Sequence, residues 1–344
     1  MTPDVLERVQ RDVGRALARG RNGLRYAAGT SRPKVGQTPK DIVWRRHKAQ
    51  LWRYRSEDVR YRPPVLIVHS LVSRSYVLDL YPGNSAVDFF RRSGLDVHLI
   101  DWGVADEAEA DNTLETYADD YIPAAIAATG AEEVTLLGYC FGGVLSLLAA
   151  ARHPDLPIRN LVLMATPVDF DGMGAITGLI RDGRLDPEDV LDVSGNVPPE
   201  AVENSFRMLK PTAEYTQYLT LWENLWNDQY VEGYQAMGQW MRDHVPFPGA
   251  AFRQTVEQLV RQNGLMDGSV ADLSRIRCPA LNVLAKRDHI VPRAAAEPIP
   301  QLLGGGAEEL QLDAGHVGLV AGRAAAKVTL PGVVEWIVQH SEAL

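Results

Sequence analysis

The chain has 344 residues, 46% hydrophobic and 23% charged, the balance of an ordinary globular protein with room for one large α/β domain or two small ones. Its net charge of −9 is unevenly divided: residues 1–62 carry 16 Lys+Arg and 6 Asp+Glu, a net of +10, which leaves −19 for residues 63–344. An acidic body argues against nucleic-acid binding as the main role, two cysteines (Cys140 and Cys278) cannot build a disulfide framework, and no run of 18 apolar residues is present to span a membrane.

The first residues alternate charged and apolar types and include Asp4, Glu7 and Asp12, so neither a signal peptide nor an organelle transit peptide is expected. A reducing cytoplasm is the default compartment. Val5, Val9, Val13 and Leu17 recur at four-residue spacing and predict a short amphipathic helix over residues 3–19, packed on the body or on a partner. Residues 28–40 are rich in turn formers and read as a linker, and the basic segment as a whole reads as a solvated arm or a contact for an anionic surface, an acidic partner or a phosphorylated cofactor. From Val43 to Tyr54 aromatic or apolar residues alternate with basic ones, as in an edge strand pair.

The core is expected to begin at Pro64–His69, a continuous apolar run that suits a buried parallel strand. Residues 96–102 form the next predicted strand. Asn112 or Thr113 is placed to cap a helix bearing Leu114, Tyr117, Tyr121, Ile122 and Ile126. Strands follow at Val134–Leu137 and Asn160–Thr166, with a helix over 143–152 crossing between them. Strands alternating with helices predict an α/β fold with a doubly wound, mostly parallel sheet. Residues 169–264 break that rhythm. They hold Tyr215, Tyr218, Trp222, Trp226, Tyr230, Tyr234 and Trp240, show no clear strand, and read as a helical cap whose aromatics mostly form its own core. The expected organisation is a basic arm (1–40), a core in two pieces (41–168 and 265–344) and an inserted cap or lid (169–264).

The stretch from Val134 to Gly143 carries the most chemistry. An apolar strand runs into Gly138-Tyr-Cys-Phe-Gly-Gly143 and then into an apolar helix ending near Arg152, the pattern of an α/β-hydrolase nucleophile elbow with cysteine at its centre. Gly138 and Gly142 flank Cys140 where a Cβ would collide with strand or helix. The helix N-terminus aimed at Cys140 favours thiolate over thiol. The plainer reading is a buried cysteine in a glycine-rich turn. Two downstream segments favour catalysis: a strand leading to Asp288, and a strand leading to the glycine-flanked loop of His316. Nucleophile, acid and histidine then follow in α/β-hydrolase order. Singly, Asp288 also fits an N-cap or ion pair and His316 a loop histidine. His289 and His69 are substrate-lining candidates, with a hydrogen-bonding role expected for His69. Cys278, before Pro279, reads as structural. No cysteine–histidine spacing suggests a metal site, and no glycine-rich phosphate loop is present.

Further motifs sharpen the reading: Leu71-Val-Ser-Arg-Ser-Tyr-Val-Leu-Asp-Leu80, Gly94-Leu-Asp-Val-His-Leu-Ile-Asp-Trp-Gly103, Thr166-Pro-Val-Asp-Phe-Asp171, Val245-Pro-Phe-Pro-Gly-Ala-Ala-Phe-Arg253, Arg287-Asp-His-Ile-Val-Pro292 and Gly315-His-Val-Gly318. In order and over residues 40–340, the chain resembles the polyhydroxyalkanoate synthases, especially the short catalytic subunits of the two-component group. One position departs: the family usually has asparagine where this chain has Ser73.

The resemblance implies an acyltransferase that polymerises (R)-3-hydroxyacyl-CoA into polyester and releases CoA. It implies no resident cofactor, since CoA arrives on the substrate. Cys140 is then the nucleophile, His316 the base and Asp288 the residue that orients it or activates the hydroxyl, with backbone N–H groups of Phe141 and Val72 as the oxyanion hole. A thiolate exchanging one thioester for another keeps the acyl group activated. The implied partner is a second, non-catalytic subunit in a homodimeric or hetero-oligomeric assembly, and the implied place is the polymer granule surface in the cytoplasm. The aromatic cap is expected to exclude water and to move for CoA and polymer. A thioesterase or polyester depolymerase of the same fold, and a non-catalytic granule protein, are the competing readings.

Overall fold

The computed structural model describes residues 3–28, 33–184, 186–209 and 213–344. A nine-stranded sheet organises the described residues. Its strands are β1 (Lys40–Arg46), β2 (Ala49–Tyr54), β3 (Tyr61–Val68), β4 (Leu95–Asp101), β5 (Val134–Tyr139), β6 (Ile158–Met164), β7 (Ala280–Ala285), β8 (Glu308–Leu312) and β9 (Glu342–Ala343). They lie in the order β1-β2-β4-β3-β5-β6-β7-β8, with β9 antiparallel against the start of β3. The β1–β2 hairpin forms one edge and meets β4 antiparallel, through pairs such as Gln50 with Asp101. From β4 to β8 every pairing is parallel. Strand order reverses beside β3, and in such sheets ligands bind beyond the carboxyl ends of the strands at that crevice.

Alternate residues of each central strand go to opposite faces. Leu66, Val68, Leu136 and Leu161 pack on one side with Ile122 of α3 (Ile122–Ala128) and Val144 of α4 (Phe141–Arg152). Val65, Ile67, Leu137 and Val162 pack on the other with Val87 and Phe90 of α2 (Ala86–Arg92) and Val333 of the last helix (Leu330–Gln339). Both faces are covered, which is why these strands read as continuous apolar runs. Each such side chain is worth about 1.5–3 kcal/mol of burial. Thr113 is the cap expected near residue 112: its Oγ1 accepts the Thr116 N–H at 3.3 Å. The helix passes through a π-type turn (Thr116–Tyr121) into α3, and Leu114, Tyr117, Tyr121, Ile122 and Ile126 are all buried.

Between β6 and β7 lie α5 (Ala175–Arg181), α6 (Pro199–Leu209), α7 (Ala213–Asn224), α8 (Asp228–Trp240) and α9 (Gly249–Gln254). The aromatics expected to form mostly an internal core divide in their burial. Trp240 is buried and Trp226, Tyr230 and Tyr234 are half-buried, but Tyr218 and Trp222 are 56% and 67% exposed. The reason is geometric: Leu221 of α7 and Leu225 in the turn after it are spent on Val231 of α8. The side chain of Tyr215 lies outside the described residues.

Helix α1 (Pro3–Ala27) runs well past residue 19, where it was expected to stop. It holds the body through Arg15, whose guanidinium sits 4.4 Å over the Trp226 ring, Asn22, which donates to the Leu225 carbonyl at 2.9 Å, and Tyr26, edge-on to Tyr234 at 6.1 Å. At 3.6 residues per turn these positions share one face and Val13, Leu17 and Leu24 share the opposite one. That apolar stripe therefore faces away from the body, with Leu17 71% exposed. The Val5 and Val9 side chains lie outside the described residues.

The entry of α4 against β3 and β5 depends on glycine. A Cβ on Gly142 would lie 2.6 Å from the Val68 carbonyl carbon and 2.7 Å from that of His69. One on Gly143 would lie 2.6 Å from Cγ2 of the buried Thr166, and one on Gly138 2.8 Å from the Gly143 nitrogen. Gly143→Ala is expected to cost about 3 kcal/mol in urea-unfolding stability, the upper range of overpacking. Gly14→Ala, in α1 with nothing near its Cβ, should gain about 1 kcal/mol from helix propensity. Equal effects at the two positions would contradict the close approach of α4.

Candidate active site

Cys140 stands between β5 and α4 with φ 58° and ψ −127°. A non-glycine residue in this left-handed region costs about 1–3 kcal/mol and persists only where surroundings enforce it. Here they do. The Cys140 N–H donates to the Met164 carbonyl at 2.9 Å, its carbonyl accepts the Gly143 N–H at 2.9 Å, and the flanking glycines let α4 press against β3. The turn carries the side chain past the strand ends. Phe141 takes the first helical position, where its N–H has no intrahelical acceptor.

Asp288 lies three residues beyond β7, in the turn. One of its oxygens accepts the N–H groups of Ile290 and Val291, both at 2.8 Å, which fixes the carboxylate. The other meets Nδ1 of His316 at 2.7 Å. A carboxylate accepts only, so Nδ1 carries a proton and Nε2 is left for chemistry. His316 follows β8 and is buried with Asp288. Burial opposes charge on its imidazole, yet Cys140 and Asp288 together outweigh burial and hold the pKa up at about 10. Cys140, Asp288 and His316, drawn from three strand ends, thus act on one another. Tyr139 was not singled out from the sequence. Its hydroxyl reaches the His316 carbonyl at 3.4 Å and its ring lies 5.2 Å from the imidazole. Burial first, then Cys140 and Asp288, push this phenol well above its ordinary pKa, so it remains a neutral donor. Its signal was its place beside the cysteine.

The loop after β3 carries Val72, the second residue expected to donate. The Val72 N–H reaches Ser70 Oγ at 3.4 Å, too long for a strong bond. His69 differs from expectation: it is fully buried and neither ring nitrogen has a hydrogen-bond partner. Its carbonyl, not its ring, is used, accepting Trp102 Nε1–H at 2.9 Å. Burial, only partly opposed by Asp101, lowers its pKa to about 4, so the ring is neutral. His289 is exposed. Cys278 is half-buried before β7, and burial raises its thiol pKa to about 11, away from reactivity. Over the elbow, Phe247 of the helical segment meets the Phe141 ring edge-on at 5.7 Å and pairs with Val197 through an isolated antiparallel bridge.

Fold and site define an α/β-hydrolase-type protein with cysteine at the elbow. Residues 63–322 match the α/β-hydrolase fold family. A hydrolase from Pseudomonas aeruginosa shares the fold with TM-score 0.57 at 18% identity, covering 88% of this chain and 99% of that one. A thermophilic esterase from Thermogutta terrifontis does so at 0.52 and 18%, covering 89% and 99%. Residues 5–90 match the N-terminus of poly-beta-hydroxybutyrate polymerase. The poly(3-hydroxyalkanoate) polymerase subunit PhaC of Allochromatium vinosum is 34% identical over 352 residues, covering 97% of each chain. That of Thiocystis violacea is 32% identical over 354 residues, covering 98% of each, and that of Haloferax mediterranei 34% over 330 residues, covering 92% of this chain and 67% of the relative. This chain belongs to the poly(3-hydroxyalkanoate) polymerase family. No described helix is long and apolar enough to cross a membrane.

The His316 pKa carries a sign. A histidine raised in the folded state stabilises the fold fully below its ordinary value of about 6.5. That contribution is lost as pH climbs through about 10. NMR titration of the His316 ring should give a midpoint near 10, falling towards the ordinary value in Asp288→Asn. A wild-type midpoint near the ordinary value would contradict the coupling.

Proposed function

We propose that this chain polymerises (R)-3-hydroxyacyl-CoA thioesters into polyester through an acyl-cysteine intermediate on Cys140. The carrying observation is the Asp288–His316 pair acting on a cysteine held in a left-handed elbow, in a chain of the polymerase family. His316, whose raised pKa favours the imidazolium, holds the proton taken from the thiol while the Cys140 sulfur attacks the thioester carbonyl. The carbon–sulfur bond to CoA breaks, and the leaving thiolate takes the proton and departs as free CoA. In the second half, the 3-hydroxyl of another acyl group gives its proton to His316 and attacks the acyl-cysteine. An oxygen ester forms and Cys140 is released. Asp288 holds the imidazole in one tautomer and stabilises its charge. Backbone N–H groups of Phe141 and Val72 receive the tetrahedral oxyanion. No step needs a cofactor beyond the CoA that the substrate brings.

Residues 169–264 serve as the cap. Phe247 lies against Phe141, beside the nucleophile, and the aromatic cover supports exclusion of water from the acyl-enzyme. A second, non-catalytic subunit docks on α1. The support is the stripe of Val13, Leu17 and Leu24, which the body leaves exposed along a 25-residue helix rich in arginine. The assembly works at the surface of its own insoluble product.

One assay tests these assignments: (R)-3-hydroxybutyryl-CoA is supplied with and without a two-component-type partner subunit, and CoA release, product size and sedimentation of the protein with polymer are followed. Wild type should release CoA and form polymer. Cys140→Ala should lose both by more than a thousand-fold, Phe247→Ala should shift product towards monomeric acid, and removal of residues 1–27 should abolish stimulation by the partner. Monomeric acid as the only wild-type product would place the chain among hydrolases instead.

A further inference from the structure

The loop that follows β3, the donor loop of the oxyanion hole in the reading above, is not held by the sheet alone. Four side-chain bonds tie it to the end of α8 and the residues just after. Trp240 Nε1–H donates to the Arg74 carbonyl at 3.0 Å. His244 Nδ1 meets the Val72 carbonyl at 3.2 Å. The Arg74 guanidinium pairs with one Asp243 oxygen at 3.2 Å, and the Tyr76 hydroxyl donates to the other at 3.0 Å. Between them the backbones of Ser73 and His244 form an isolated antiparallel bridge. Residues 72, 73 and 74 are therefore gripped in succession by a segment more than 160 positions away in sequence.

His244 sits at the centre of this grip. Its ring stacks on Phe206 of α6, with centroids 5.2 Å apart and planes 11° from parallel, and packs against Trp240 at 6.2 Å. Burial lowers its pKa, with the Val72 carbonyl opposing, so the neutral ring prevails. Because a carbonyl only accepts, its one proton sits on Nδ1. Peptide planarity does the rest. Fixing the Val72 carbonyl fixes the 72–73 peptide plane, which carries the Ser73 N–H, and anchors Val72 at its carbonyl side, so the Val72 N–H in the preceding plane can turn only about the backbone torsions of Val72 itself.

We propose that His244 is a positioning residue for the oxyanion hole: with Trp240 and Asp243 it sets the donor loop only while the helical segment is docked on it. The inference rests on the assignment of Cys140 as nucleophile and of the 71–74 loop as donor loop. It adds that shielding and acyl activation are one event. When the segment lifts, the loop loses its shape, and an acyl-cysteine exposed to water is left with the Phe141 donor alone. The segment then protects the intermediate both by covering it and by disarming the site when cover is lost.

Two reactions at the same sulfur separate this role from general damage. Acylation by (R)-3-hydroxybutyryl-CoA passes through an oxyanion; alkylation by iodoacetamide is a direct displacement and does not. Complete loss of one oxyanion donor costs about a hundred- to thousand-fold, and loss of its positioning should cost about ten- to a hundred-fold. In the full-length enzyme with its partner, His244→Phe keeps the stacked ring and removes the donor. It should lower kcat by that factor with KM little changed, while Cys140 alkylates at the wild-type rate. His244→Asn, whose amide nitrogen stands where Nδ1 was, should recover most of the loss. Wild-type acylation in His244→Phe with Cys140 still required would overturn this inference alone, as would an equal slowing of alkylation. Turnover retained in Cys140→Ala would overturn the nucleophile assignment and this inference with it.

Discussion

Everything in the site depends on one backbone conformation, the left-handed turn at Cys140. Such a conformation is unfavourable by itself and exists because β5 and α4 are pinned on both sides of it. The pinning is steric: three glycines remove the side chains that would keep α4 away from β3, β5 and Thr166. Close approach brings the start of α4 under the strand ends, leaves Cys140 half-buried there, and sets the Phe141 N–H free of the helix. The same strand ends deliver Asp288 and His316. Local strain at one residue is offset by burial of the sheet around it, and it is the reason a reactive group can stand at the edge of a packed core.

Polar contacts then transmit order outward from that turn. Asp288 is fixed by two backbone N–H groups before it meets His316, so the imidazole inherits a direction from the chain. The loop beyond β3 has at Val72 only a local bond of 3.4 Å, to Ser70 Oγ, and is held further by the helical segment through the Val72 and Arg74 carbonyls. Charge follows a related logic. The basic excess of residues 1–62 is used where the β1–β2 hairpin lies on the acidic body: Arg46 pairs with Asp120, Lys48 with Asp106 and Glu109, and Arg53 with Asp96. Exposed pairs of this kind contribute little singly, about 0–1 kcal/mol. Their sum nonetheless matches a basic edge to an acidic domain, so the segment is no free arm.

The elements legible in the sequence were those governed by local periodicity and by motif order. Continuous apolar runs marked the parallel strands because both sheet faces are covered. The elbow and its two partners could be read because each follows a strand in a fixed order. What depended on distant packing could not be read. Nothing in the spacing of Val13 and Leu17 says that Arg15, Asn22 and Tyr26 hold the body and leave the apolar stripe outside. Tyr218 and Trp222 look like core residues until α7 is seen to use its other face. The histidine of the first core strand was expected to hydrogen-bond, yet Trp102 takes its carbonyl and its ring stays dry. His244 carried no signal, since its partner lies more than 160 residues earlier.

The central claim is that an acyl group passes through Cys140. The most direct measurement traps it: the enzyme is mixed with (R)-3-hydroxybutyryl-CoA, quenched in acid within the first turnover, and digested for peptide mass mapping. The account predicts a hydroxybutyryl adduct on the peptide containing Cys140, released by hydroxylamine at neutral pH as a thioester is. CoA release with no adduct on that peptide, or an adduct on another residue, would contradict it.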